Sequence, residues 1–393
     1  MPRTYTCSRY EVRGTFPVAS PLSLKKTMTQ DQSLLPQRLS SLDAFRGFAV
    51  AGMLLVNNPG TWDPAVVPRL LFHAEWHGCT FADLIFPFFL FAVGMAMPFS
   101  EAKRREHGVS VWKGILIAAR RALLLYLLGA FLKSASINMP VLHFGILQRI
   151  GVLYFIVYLL LPLKARWQVA IGVTLLFVWW AILAFVHGPG VIPGSFDRDL
   201  NAAQYLDSFI LVPEDKETII SMIPGISTVL AGVLLGRFLM RQTDQKKVMS
   251  VLAGAGAAGI IVGLLWDLVV PLNKILWTAS FAVYTAGWSC LVFLLFYWVI
   301  EVRKMSKIAF PLIVYGMNAI TLYVFTGLLV RWVMLSWKVS YNGATTSLTG
   351  YFFKSFASLT NPTIGSLLYS LMIILIGWLL CYWMFRRKLF LKV

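Results

Sequence analysis

His73 and His77 flank Trp76 at a four-residue spacing, and Asp83 follows ten residues after His73. Histidine titrates near neutrality, so it is the usual proton carrier in catalysis and a plausible covalent acyl carrier. A carboxylate beside an imidazole orients the ring and stabilises its protonated form. Asn57, ahead of the pair, carries an amide that could donate to a developing oxyanion. Arg46 and Arg149 are fixed cations suited to phosphate or pantetheine groups. Other chemistries fit less well. The H-x-x-x-H spacing lacks the glutamate of H-E-x-x-H and has no clustered third ligand, so no metal site is expected. No G-x-S-x-G motif offers a serine nucleophile. The four cysteines, Cys7, Cys79, Cys290 and Cys381, are scattered and form neither a disulfide framework nor a zinc site.

These residues must be positioned by a very apolar chain. Of 393 residues 58% are hydrophobic, only 13% are charged, and mean hydropathy is +0.72. Continuous apolar runs recur, which excludes the alternation of a membrane β-barrel. The expected fold is an all-α polytopic membrane protein of about ten transmembrane helices: 39–57, 80–99, 114–132, 144–162, 168–187, 221–239, 249–266, 278–300, 308–330 and 365–385. Asp83 then lies a few residues inside the second span, where an acid is costly unless paired or facing a cavity. Residues 1–37 read as a disordered basic arm preceding a membrane domain over 38–393. Met28 offers a second translation start, which would leave residues 1–27 outside the native chain.

The net charge of +18 is distributed unevenly. Twenty-two Lys and Arg fall in the two termini and the loops on their side, against eight on the opposite side. That asymmetry places both termini in the cytoplasm and His73 outside. It also turns the basic balance into a membrane-orientation signal, which removes nucleic acid as a partner. The long outer loops 188–220 and 331–364 are candidate lids, the first rich in acids that include Asp197, Asp207 and Glu214.

Polar groups within the spans are sparse. Asp43 and Arg46 share a helical face and can neutralise each other. Arg120, Arg121 and Arg237 lie near cytoplasmic ends, within snorkelling reach of the interface. Arg149, in the fourth span after His143, needs a partner, and Asp83 is the expected one. Pro224–Gly225 interrupts the sixth span with a break of the kind that lines cavities, Asn273 and Lys274 flank the start of the eighth, and Asn318 is a polar position within the ninth. On residues alone a proton-coupled transporter built on Asp43, Asp83 and Arg149 remains open, although no internal repeat is evident.

Several stretches together resemble one known family. They are RLSSLDAFRG (38–47), VNNPG (56–60), HAEWHGCTFADLIFPFFLFAVG (73–94), HFGILQRI (143–150), SMIPGISTVLAG (221–232), NKILWTASF (273–281) and VYGMNAITLYV (314–324). In order and across nearly all the chain after residue 37, they resemble the heparan-α-glucosaminide N-acetyltransferases, in particular compact bacterial members. The resemblance implies a multi-pass enzyme of the bacterial cytoplasmic membrane. It would move an acetyl group from cytosolic acetyl-CoA to the amine of a glucosamine-type sugar outside. Its active-site histidine would be His73, with Asn57 and Asp83 nearby. The phosphates of the CoA headgroup suit the basic cytoplasmic face, where Arg46 and Arg149 are the expected cofactor contacts, and the residue spacing gives no metal. The partners would be an amino-sugar or glycan acceptor and the lipid bilayer, and family members point to a homodimer. His77, where the family often has Asn, departs from the pattern. An amino-sugar transporter and an O-acetyltransferase acting on a cell-wall or polysaccharide hydroxyl are the competing functions.

Overall fold

A computed structural model describes residues 39–137, 139, 144–209 and 219–390. The arm over 1–37, His143 and the acids Glu214, Asp215 and Glu217 lie outside those residues. The described residues are almost wholly helical, with one short antiparallel hairpin, Lys338–Tyr341 paired with Ala344–Ser347.

Helix α1 (Ser40–Asn57) leads through an irregular segment with one 3-10 turn (Arg69–Leu71) into α2 (Phe81–Glu106). There follow α3 (Val111–Ile137), α4 (Ile146–Leu160), α5 (Ala165–Phe185), the short α6 (Ala202–Asp207), α7 (Met222–Arg241) and α8 (Gln245–Asp267). Next come α9 (Ala279–Tyr297), α10 (Ser306–Met317), α11 (Ala319–Leu328), α12 (Leu348–Leu359) after the hairpin, and α13 (Pro362–Arg386). Every expected span therefore has a helical counterpart. Among the described residues, seven helices are long and apolar enough to cross a membrane, and α10 with α11 makes an eighth only as a broken pair. The expected continuous span 308–330 is corrected by this break. The helix stops at Met317 and restarts at Ala319 with a bend of 72°, because Asn318 adopts a non-helical backbone (φ −128°, ψ 35°). Among the helices that each match one expected span, α1 and α4 fall outside these seven: α1 carries Asp43 and Arg46, and α4 has 15 residues.

Helix α2 is the centre. In its most apolar window 83% of residues are buried, against 17% for α3 and 22% for α5. With little hydrophobic force between helices in lipid, close backbone approach has to hold them together. A side chain at Gly94 of α2 would put its Cβ 2.1 Å from the Val229 carbonyl of α7, and one at Gly232 of α7 would meet the Phe91 carbonyl at 2.2 Å. The same device joins α1 to α10 at Gly47 and Gly316. Phe45 of α1 wedges between Phe88 of α2 and Phe293 of α9, each ring centroid 5.8 Å away. The acid-bearing end of α2 is therefore held from several sides.

Candidate active site

Asp83 stands in the first turn of α2. Its Oδ2 accepts from the backbone N–H groups of Thr80 and Ala74, each at 3.0 Å, and lies 3.0 Å from the Thr80 hydroxyl oxygen. With the Thr80 side chain and N–H, this forms a capping box that satisfies helix-end donors. The other oxygen, Oδ1, lies 2.8 Å from His73 Nδ1. The expected pairing of Asp83 with Arg149 is thereby corrected. Its partners among the described residues are Thr80, Ala74, His73 and Lys274, while the buried Arg149 donates to Ser221 Oγ at 3.2 Å.

Lys274 comes from the loop between α8 and α9, 201 residues beyond His73. Its Nζ is 3.7 Å from Asp83 Oδ1 and 3.2 Å from His73 Nδ1. Nδ1 cannot both donate to the carboxylate and accept from the ammonium. The shorter contact to an ionised oxygen is the charge-assisted one, so the proton is assigned to Nδ1. That tautomer leaves the lone pair on Nε2, which has no protein partner among the described residues. Asp83 is 1% exposed and Lys274 12%, whereas the His73 side chain is 50% exposed. A buried, charge-balanced acid thus holds one nitrogen of a ring whose other nitrogen faces outward.

The surrounding loops are pinned to one another. At the start of the 58–80 segment, Ser370 and Ser366 of α13 donate to the carbonyls of Asn58 and Pro59 at 2.7 and 2.6 Å. At its end the Thr80 hydroxyl donates to the Phe72 carbonyl at 2.7 Å. Gly78 N–H donates to the Leu272 carbonyl at 2.8 Å, and the buried Asn273 amide reaches the Trp76 carbonyl at 2.9 Å. Three residues past Lys274, Trp277 sits in the left-handed region at φ +47°, a costly conformation for a bulky residue. Packing over-determines it. Its indole donates to Thr228 Oγ1 at 3.2 Å and meets Phe86 and Phe281 edge-on at 5.5 and 5.4 Å.

Part of the acidic loop lies against this rim. Trp76 Nε1 donates to the Phe196 carbonyl at 2.6 Å, and Arg198 stacks 5.2 Å from the Trp76 ring. His77 is exposed and takes no part in the Asp83 cluster. Burial pushes its pKa below the usual histidine value, against the opposing pull of Asp197 and Asp267. The Cys79 thiol, next to the pair, is pushed up to about 12 by burial and then by Asp83, with Lys274 opposing. It therefore stays protonated and is no nucleophile.

Of the residues singled out in the sequence, the structure joins His73 and Asp83. Asn57 is the exposed last residue of α1, outside the hydrogen-bonded cluster. Arg46 is half-buried within α1, and Arg149 is buried in the first turn of α4. Lys274 is the residue that sequence reasoning passed over, noting it only at the start of a span. Among the described residues, no group of three His, Cys, Asp or Glu could hold a metal ion.

These features define a multi-pass helical membrane protein with an acid–imidazole–ammonium cluster at one end of its central helix. A profile of the family described as heparan-alpha-glucosaminide N-acetyltransferase, catalytic, matches residues 38–264, and the chain belongs to that family. It is 27% identical over 380 residues to the human heparan-alpha-glucosaminide N-acetyltransferase, covering 79% of this chain and 56% of the human protein. The mouse protein of the same name is 26% identical over 372 residues, covering 77% of this chain and 55% of its own length. The chain thus spans about half the length of these curated relatives.

Proposed function

We propose that this protein is a membrane acyltransferase that moves an acetyl group from acetyl-CoA to the amine of a glucosamine-type sugar. The observation that carries the reading is the His73–Asp83 pair, a ring oriented by a buried carboxylate and open to solvent at Nε2. Membership of the family supports both the reaction and the class of acceptor.

A sugar ammonium is no nucleophile until it loses a proton. His73 Nε2 takes that proton, and the imidazolium formed is stabilised by Asp83 through Nδ1. The freed amine forms a C–N bond at the thioester carbonyl carbon, the C–S bond breaks as the departing thiolate receives the first proton from His73, and the second N–H proton passes through Nε2 to solvent, leaving a neutral amide. Lys274 keeps Asp83 charge-balanced throughout. Asn57, exposed at the end of α1, is proposed as a donor to the oxyanion. Arg46 and Arg149 are proposed as contacts to the pantetheine arm and phosphates of the donor.

The same reading has ten spans, both termini in the cytoplasm and His73 on the outer side of a bacterial cytoplasmic membrane, an orientation that the Lys/Arg asymmetry supports. Helices α1 and α4 would cross while shielded by their neighbours, which suits their polar side chains.

The test is purified protein in liposomes with labelled acetyl-CoA and a panel of sugars. Label on the amine of glucosamine supports the proposal. Label on hydroxyls of sugars lacking an amine would make it an O-acetyltransferase. Proton-coupled uptake of glucosamine without acetyl-CoA, and no transfer, would make it a transporter. Acetyl retained on the protein in the absence of acceptor would replace the general-base route by an acetyl-histidine one.

A further inference from the structure

At the end of α2 remote from Asp83, a cavity of about 590 Å³ opens between the last turns of α2 and α7 and the α4–α5 connection. Arg105, Lys164, Arg237 and Arg241 line it, with Glu101 as the single acid. Glu101 is already taken up. It accepts from Tyr158 at 2.7 Å and from Arg105 at 3.0 Å, and stands 3.7 Å from Arg104. Arg237 is turned onto the carbonyls of Leu161 and Leu163. Among the described residues no carboxylate pairs with Lys164, Arg237 or Arg241. Lys164 and Arg241 are exposed and Arg237 is half-buried, so the cavity presents an excess of positive charge to whatever enters it, which favours an anion.

A second void shows what is attached to that anion. A groove of about 490 Å³ lies one turn further into the membrane, walled by α5, α7, α8 and α9, with no lining residue in common with the first cavity. Ala165 of α5 and Arg237 and Met240 of α7 line the first cavity, while Val169 of α5 and Leu235 and Phe238 of α7 line the second. The groove is apolar, and its hydroxyls are engaged: Ser227 donates to the Gly172 carbonyl at 2.8 Å, and Thr228 accepts from Trp277. Most of its wall suits a hydrocarbon chain better than the amide groups of a pantetheine arm. Gln168, fully buried at the junction, has its Oε1 without a hydrogen-bond partner among the described residues.

We propose that the two voids form one binding site for an anionic phospholipid, its phosphate among Arg105, Lys164, Arg237 and Arg241 and an acyl chain in the α5–α7 groove. The site lies on the Lys/Arg-rich side, where basic pockets between spans recruit acidic headgroups. The inference rests on the membrane reading and is independent of the chemistry at His73. The shared chemistry is a phosphate ester, and the CoA nucleotide is the other source that the test must separate.

Native mass spectrometry would count lipids retained by the full chain from nanodiscs of mixed phosphatidylglycerol and phosphatidylcholine. The wild type is expected to retain phosphatidylglycerol preferentially. Lys164→Gln with Arg241→Gln should cut that preference by roughly 10- to 30-fold, with helix content by circular dichroism showing that it folds. Arg241→Gln alone, at an exposed helix end, should show a smaller loss in the same direction. Gly172→Leu, which fills the groove without touching a charge, should lower retention of both lipids. Equal phosphatidylglycerol preference in wild type and the double variant would overturn the proposal. So would a double variant that loses CoA binding in calorimetry while keeping its lipid preference, since the cavity would then be a nucleotide site.

Discussion

The two ends of α2 carry the same kind of group in opposite settings. Asp83 and Glu101 are eighteen residues apart, about 27 Å along the helix axis. Each is a carboxylate that accepts several hydrogen bonds. At the Asp83 end the acid is 1% exposed and shared between one ammonium and one imidazole, and the imidazole projects outward with a nitrogen free to exchange a proton. At the Glu101 end the acid is shared by two guanidinium groups and a phenol, none of which exchanges protons near neutrality. Surplus cations surround it. In the proposals above, one end moves a proton and the other holds an anion. What separates them is the partner of the carboxylate, not the carboxylate itself.

That contrast can be broken or sharpened by substitution. Asp83→Asn carries the largest expected effect, because the amide keeps the shape but can present its N–H to His73 and favour the wrong tautomer. A loss in kcat approaching about 10⁴ with KM little changed is expected from steady-state kinetics. A proportional rise in KM instead would make Asp83 a binding residue. Lys274→Met comes next. It strips the buried carboxylate of its ammonium, and a stability loss of about 1–3 kcal/mol should appear in thermal unfolding. No change in melting would mean that the Lys274–Asp83 contact carries no weight. At the other end, Tyr158→Phe removes only a hydrogen bond to Glu101. About 1 kcal/mol of stability should go with it, and the transfer rate should stand; a rate collapse would erase the distinction between the two ends. Cys79→Ser closes the series with no measurable effect on rate. With the thiol pushed up to about 12, only about one part in 10⁴ is thiolate at pH 8, so N-ethylmaleimide should react slowly with the native protein.

The helical architecture was largely legible because apolar runs of membrane length leave few alternatives. The His73–Asp83 pair was legible too, since both lie in one short stretch that ends in a helix start. The T-x-x-D of its capping box was equally visible, yet an acid at the edge of an apolar run reads first as a membrane acid. Lys274 was hidden for a different reason. It reaches Asp83 from the far side of the chain through a loop whose course depends on a left-handed Trp277 and on Asn273 bonded to Trp76, and no local spacing encodes that. The Asp83–Arg149 expectation failed in the same way. Similar apparent depth along two helices says nothing about which faces meet, and glycine-mediated contacts such as that of Gly94 on α7 decide it. The bend at Asn318 was marked in the sequence as a polar position in a span, but not as a change of direction.

The account turns on His73 as the group that moves the proton. The most direct measurement is the rate of acetyl transfer from acetyl-CoA to glucosamine by purified His73→Ala, beside wild type in the same liposomes. A loss of about 10⁴ in kcat, as large as that of Asp83→Asn, with helix content and melting unchanged, is what the account predicts. A folded His73→Ala protein that transfers acetyl at the wild-type rate would contradict it.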